Sequence, residues 1–231
     1  MNKNTSILVQ ALLEKASLKQ FIYRNTLSQF ELLKNTLKVL IEQVHEKIVD
    51  KDKNVIVNYS EKNAFEVQIQ FGGDLLVFTM HTNVFNFDEN HSIHKNKYVE
   101  DDISNSYCGM IEIYNFLADS LKYQRLNDSG YLIGRIFINR ENHFFTEGKG
   151  QMGFLFSDFA NQIIQQSTLE NIIEIAILYC IEFDLWAPPL AEVEEITVLE
   201  KLQQEGNVAH KTAKRLGFDM SAILKKDRVV K

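Results

Sequence analysis

Three histidines, His81, His91 and His94, fall within fourteen residues, with Asp88 and Glu89 between the first two. Imidazole and carboxylate are ligand types that together hold a divalent metal and activate water. The spacing matches no established ligand pattern, and His91 and His94 sit in a polar stretch. Solvated or structural histidines are therefore the simpler expectation. A second group is Gly148-Lys149-Gly150-Gln151-Met152-Gly153, which fits G-x-G-x-x-G. In a dinucleotide site such glycines let a strand-to-helix turn approach a pyrophosphate. Here the motif follows a hairpin and leads to no second parallel strand, so a glycine turn is the expected structure and a phosphate loop the alternative. Third, Asp128 with Glu147-Gly148-Lys149 imitates the Asp, then Glu-x-Lys, of metal-dependent nucleases. Gly148 would weaken the strand that has to hold that set rigid. No Walker loop, His-Glu-x-x-His, Gly-x-Ser-x-Gly or paired Cys-x-x-Cys occurs, and no cofactor is implied.

The elements that would position these groups are legible from periodicity. Residues 5–22 and 26–49 read as two helices. The first has an imperfect stripe (Leu8, Leu12, Ala16, Lys19, Ile22). The second has a clean one (Phe30, Leu33, Leu37, Leu40, Val44, Ile48), with Thr26 as a candidate cap. Such stripes face a core or a partner chain. Phe65, Val67, Ile69 and Phe71 alternate with polar residues as in a strand with one dry face. Gly72-Gly73-Asp74 offers a hairpin turn into a partner strand at 75–81. Further strands are expected at 55–59, 110–116, 131–139 and 143–146, the last two joined by a turn near Arg140–Asn142, with a long polar loop over 88–106. Ser167 and Glu170 suggest a capping box for a buried helix over 169–185, stopped by Pro188-Pro189. Hairpins without intervening helices argue for an antiparallel sheet.

Composition bounds the rest. The chain has 231 residues, 45% hydrophobic, with sixteen Phe but only two Pro and ten Gly, so a sizeable core is affordable and disorder disfavoured. Cys108 and Cys180 do not make a disulfide framework. No signal pattern and no apolar run of roughly 18 residues is present, so no membrane partner is expected and a cytoplasmic location is the default. The net charge of −6 is unevenly spread: residues 206–231 hold seven cations and two acids, leaving −11 on residues 1–205. An acidic body with a basic tail suggests a polyanion contact.

Within that tail, 199–205 runs into Gly206-Asn207, then 209–216, then Gly217, then 221–226, an order of helix, turn, helix, turn, short basic helix. Gly206-Asn207, Thr212-Ala213, Leu216-Gly217, Ser221 and Ile223 resemble the helix-turn-helix of the Fis family of bacterial DNA-binding proteins. The resemblance covers about 30 residues and implies a recognition helix over 219–226 in the major groove. It implies that Met220, Ser221 and Lys225 lie nearest the bases, while Lys211, Lys214, Lys226 and Arg228 meet phosphates. Met220 stands where the family usually has Arg, and Asp227 where it has an apolar residue.

The expected architecture is α+β: an antiparallel sheet of about five or six strands, two N-terminal helices, one buried helix and a small C-terminal helical segment. A sensory or interaction domain spans 1–187 and a helix-turn-helix-like tail 191–231. The first functional expectation is a non-enzymatic binding or regulatory protein. It would contact double-stranded DNA through 206–231 and form a homodimer through 5–49. Two alternatives are an interaction module with a structural tail, and an enzyme using the glycine loop or a His/Asp metal site.

Overall fold

A computed structural model describes residues 2–126, 128–184, 187, 189–198 and 201. No glycine or proline interrupts the first fifty residues. Accordingly α1 (Lys3–Ala11), a π-helical turn (Leu12–Ala16) and α2 (Ser17–Val49) run on without a break, the junction residues Ala11 and Ala16 both having helical dihedrals. The two helices expected over 5–22 and 26–49 are thus one rod, roughly 70 Å long at 1.5 Å per residue. Thr26 does not cap a helix start. It is fully buried in mid-helix, and its hydroxyl donates to Ile22 O at 2.8 Å. The back-bond satisfies the hydroxyl without opening the backbone, which is why the cap signal misleads.

The chain then forms a six-stranded antiparallel sheet in plain sequence order: β1 (Val57–Asn63), β2 (Glu66–Phe71), β3 (Asp74–Met80), β4 (Gly109–Leu117), β5 (Tyr131–Ile138) and β6 (Phe144–Gly148). Turn chemistry sets the register. Phe71 pairs with Asp74 across a two-residue turn with Gly72 at φ 58. In the β5–β6 turn Asn139 Oδ1 accepts from the Glu141 and His143 amides, and Asn142 takes φ 65.

Period-two alternation gives the sheet an aliphatic inner face. Val67, Ile69, Leu76, Phe78, Ile111, Ile113, Ile136 and Phe144 pack there against Phe30, Leu33, Leu37 and Ile41 of α2. The same core takes in Leu169, Ile172, Ile173 and Ala176 of α5 (Gln166–Ile181). That helix starts at Gln166 without a side-chain cap, so the Ser167–Glu170 capping box does not form; Gln166 Nε2 donates to Glu170 Oε1 instead. It ends at Ile181, short of the expected 185, and a short α6 (Leu190–Val193) follows. Lys34 is buried on α2 between Glu31 (2.9 Å) and Glu61 of β1 (2.7 Å). Burial by itself would lower its pKa; the hydrogen bonds to Glu61 and Glu31 outweigh that and leave it above 10.5.

The stretch expected as a long loop over 88–106 is built of short turns: 3-10 turns at Ser92–Lys95 and Ile103–Ser106 flank α3 (Lys97–Asp101), and a short α4 (Ala118–Lys122) follows β4. Each starts on a polar cap, with His91, Asn96 and Asp102 accepting from the amides of Ile93, Tyr98 and Ser104. No described helix is long and apolar enough to cross a membrane.

Candidate functional site

The outer face of the sheet is where the chemistry-bearing residues gather, and the pairing register defines it. Glu66, Thr79, Glu112, Arg135 and Glu147 are successive cross-strand partners from β2 to β6, so they form one polar row across the sheet. Arg135 is ion-paired with Glu147, and its guanidinium stands 5.3 Å over the Phe137 ring. His91 closes the row, its Nε2 lying 3.4 Å from Glu147 Oε1. Tyr114 donates to Glu112 Oε1 at 3.4 Å; burial, then the neighbouring Glu112 carboxylate, raises its phenol pKa. Opposite charges facing across strands hold register. Arg135 and Glu147 are each about one third exposed, which limits the pair to about 1 kcal/mol or less.

One end of this face is covered by the stretch between β3 and β4. Phe87, Phe137, Phe145 and Phe159 pack there with Ile93, Val99, Cys108 and Met110 into a second, aromatic-rich cluster. The three histidines serve this cover. His81 Nδ1 accepts from Asn83 N at 3.0 Å, and its ring stands edge-on to Phe85. His91 stacks on Phe87, with Nδ1 accepting from Ile93 N. His94 Nε2 lies 3.3 Å from Phe87 O. Asp88 is held below its usual pKa by the backbone, then the side chain, of Asn90. Among the described residues, no group of three or more His, Cys, Asp or Glu is placed to hold a metal ion.

The glycine motif lies at the end of β6 and continues into a 3-10 turn (Gly150–Gly153) rather than a helix. Lys149 N donates to Ile133 O and Met152 N to Lys149 O, so two of its amides are already spent on protein. A Cβ on Gly148 would lie 2.7 Å from Ile133 O, and Gly150 sits at φ 54 beside the Tyr179 ring. Gly153 is needed for its approach to Gly148 O. Glycine here serves close backbone packing of the turn on β5 and α5. Asp128 is apart from Glu147: it accepts from Ser120 Oγ at 2.6 Å, whereas Glu147 takes Arg135 and His91.

A polar hub that periodicity does not reveal pins the cover to the sheet. The Tyr98 hydroxyl donates to Glu141 Oε2 (2.7 Å) and accepts from Asn139 Nδ2 (2.9 Å), and its ring stacks on His143 at 4.6 Å. Burial first, then Glu141, pushes the phenol pKa up. Asn105 Nδ2 donates to Tyr98 O, and Arg140 pairs with Asp102 at 2.7 Å. Ser104, then Arg140, holds Asp102 below the usual carboxylate range. Of these, only the run of hairpin-turn residues at 140–142 had a sequence signal. Arg135 and Glu112 had none beyond being charged residues within strands. Cys108 and Cys180 are both buried and are not bridged to each other, and burial alone raises the Cys108 thiol.

The residues implied for DNA contact (Lys211, Lys214, Met220, Ser221, Lys225, Lys226 and Arg228) lie outside the described residues. Set against known proteins, the chain matches no family model, no curated protein and no solved structure.

Proposed function

We propose that this chain is a non-enzymatic binding or regulatory protein that docks on double-stranded DNA through residues 206–231. The observation that carries the reading is charge segregation: +5 on those 26 residues against −11 on the remainder. A polyanion is drawn to the first and repelled by the second, so the body would keep the tail as the one point of contact. The course of the chain supports a separate tail. Among the described residues, α5 is the last element in the core, and every residue after it whose burial is described up to Lys201 is exposed or, at Phe183, half-buried. Homodimerisation through residues 5–49 belongs to the same reading, since paired tails suit paired half-sites. Two buried cysteines with no disulfide between them suit a reducing, cytoplasmic setting.

Fluorescence anisotropy with a random-sequence duplex tests it. If Lys211, Lys214, Lys226 and Arg228 each neutralise one phosphate, affinity falls about 100-fold between 50 and 200 mM salt. Deleting 206–231 should abolish binding. No binding at 50 mM salt, or binding that survives the deletion, contradicts the reading.

The projecting N-terminal helix favours one alternative, an interaction module whose tail has no DNA role. That reading keeps the dimer and drops the duplex, so the same titration separates the two.

A further inference from the structure

The core-facing stripe of α2 does not stop where the sheet stops. Ile22, Thr26, Phe30, Leu33, Leu37 and Ile41 are buried at spacings of three and four. Asn25 Nδ2 donating to Asn139 O (2.8 Å) and Gln29 Nε2 donating to Asn142 Oδ1 (3.0 Å) mark where the helix crosses the β5–β6 turn. Counting back past that point reaches Leu18, Lys15, Leu12 and Leu8. The π turn at Leu12–Ala16 adds one residue to the helical count. Ile7, Leu8, Ala11 and Leu12 therefore share one flank. None of residues 2–17 is buried, and Ile7, Leu8, Val9, Leu12 and Leu13 are 41–65 % exposed.

A helix of about 15 residues in which no described residue is buried is marginal in water. This one also carries Asn4, Thr5, Ser6 and Val9, none of them strong helix formers. An apolar flank on such an arm is the signature of an association surface. The stripe from Ile22 to Ile41 is taken up by the molecule's own core, which leaves the N-terminal arm as the longest run within 5–49 that holds no buried residue.

We infer that the arm, residues 3–16, pairs antiparallel with the same arm of a second copy, Leu8 of each packing on Leu12 of the other. This rests on the homodimer included in the reading above and specifies its surface. Charge selects the direction. Side by side in parallel, Lys3, Lys15 and Lys19 would each meet their own copy, and Glu14 would meet Glu14. Antiparallel, with Leu8 opposite Leu12, Lys3 faces Ser17, Glu14 faces Ser6 and Lys15 faces Thr5, so no like charges oppose. An arm roughly 22 Å long and about 10 Å wide covers a few hundred Å² per protomer. That is below the roughly 800 Å² per partner of a standard interface, so the dimer is weak and concentration-dependent.

Sedimentation equilibrium of the full chain from about 1 to about 200 µM tests the seam. The mass should rise from 26.8 kDa toward twice that value. The double variant Leu8→Glu, Leu12→Glu should stay at 26.8 kDa, with the same unfolding midpoint as the parent at about 1 µM, where both are monomeric, because neither residue is in the core. Asn4→Cys and Ala16→Cys chains set the direction: mixed together they should form a disulfide-linked pair, and neither should cross-link to itself. The native cysteines are buried and stay out of that reaction. A parent that remains monomeric at 200 µM overturns the inference, including the case in which its own tail covers the arm. So does a double variant that dimerises like the parent, and so does self-linking of each single-cysteine chain. Duplex binding by the monomeric double variant would leave the DNA reading standing while the seam is judged on mass alone.

Discussion

The two halves of the N-terminal rod both carry an apolar stripe, imperfect in the first and clean in the second, and meet opposite surroundings. From Ile22 to Ile41 the stripe lies on the inner face of the sheet and is buried; from Lys3 to Ala16 it projects past the β5–β6 turn into solvent. Periodicity is a local property, whereas burial depends on how far the sheet reaches. The difference between the halves is therefore set by the width of the six-stranded meander, not by the helix. A stripe that outruns its sheet is the surface on which the proposed seam rests.

The contrast can be broken first where it is largest. Phe30→Ala removes a fully buried ring from between α2 and the sheet and should cost about 3–5 kcal/mol in urea unfolding. A loss below about 1 kcal/mol would mean that the buried half is no more anchored than the arm. Next is the crossing point. Asn25→Ala removes the hydrogen bond to Asn139 O and should cost about 1 kcal/mol. It should also speed amide exchange on the N-terminal side of residue 25 more than on the C-terminal side.

Lys34 sharpens the comparison through pH. Its folded pKa lies above the ordinary 10.5, so its contribution is complete below that value and is lost as pH rises through the folded pKa. Stability should fall above about pH 10.5, and the fall should be smaller in Lys34→Met, read from urea midpoints across pH 9–12. An identical alkaline fall in the variant would assign it to other groups. The smallest effect belongs to the arm: Leu12→Ala at low protein concentration should change unfolding by about 0.5 kcal/mol or less. The same exchange in the buried half, Leu37→Ala, should cost about 2–5 kcal/mol.

The architecture was legible where pattern and burial coincide. The alternation at Val67, Ile69 and Phe71, the Gly72 turn and the apolar helix holding Ile172 and Ile173 all point to an antiparallel sheet with a helical layer, and that is the fold observed. The continuity of the rod was missed because Thr26 has the chemistry of a cap. Whether its hydroxyl serves a free amide or a carbonyl four residues back depends on tertiary context. The polar features were less readable. Glycines at 148, 150 and 153 look alike whether they approach a phosphate or a neighbouring strand. Only the nearness of Ile133 O and Tyr179 shows that here they approach protein. The Glu112–Arg135–Glu147 row joins residues 35 positions apart, and the Tyr98 hub joins residues 43 apart. No local spacing carries either one.

The claim that the two halves of one helix serve different partners is tested most directly by hydrogen exchange on the full chain at a low and a high protein concentration. Residues 3–16 should exchange rapidly when dilute and become protected as concentration rises, while residues 22–41 stay protected and unchanged throughout. Protection of the arm that is already complete at low concentration, or absent at both, would contradict the account.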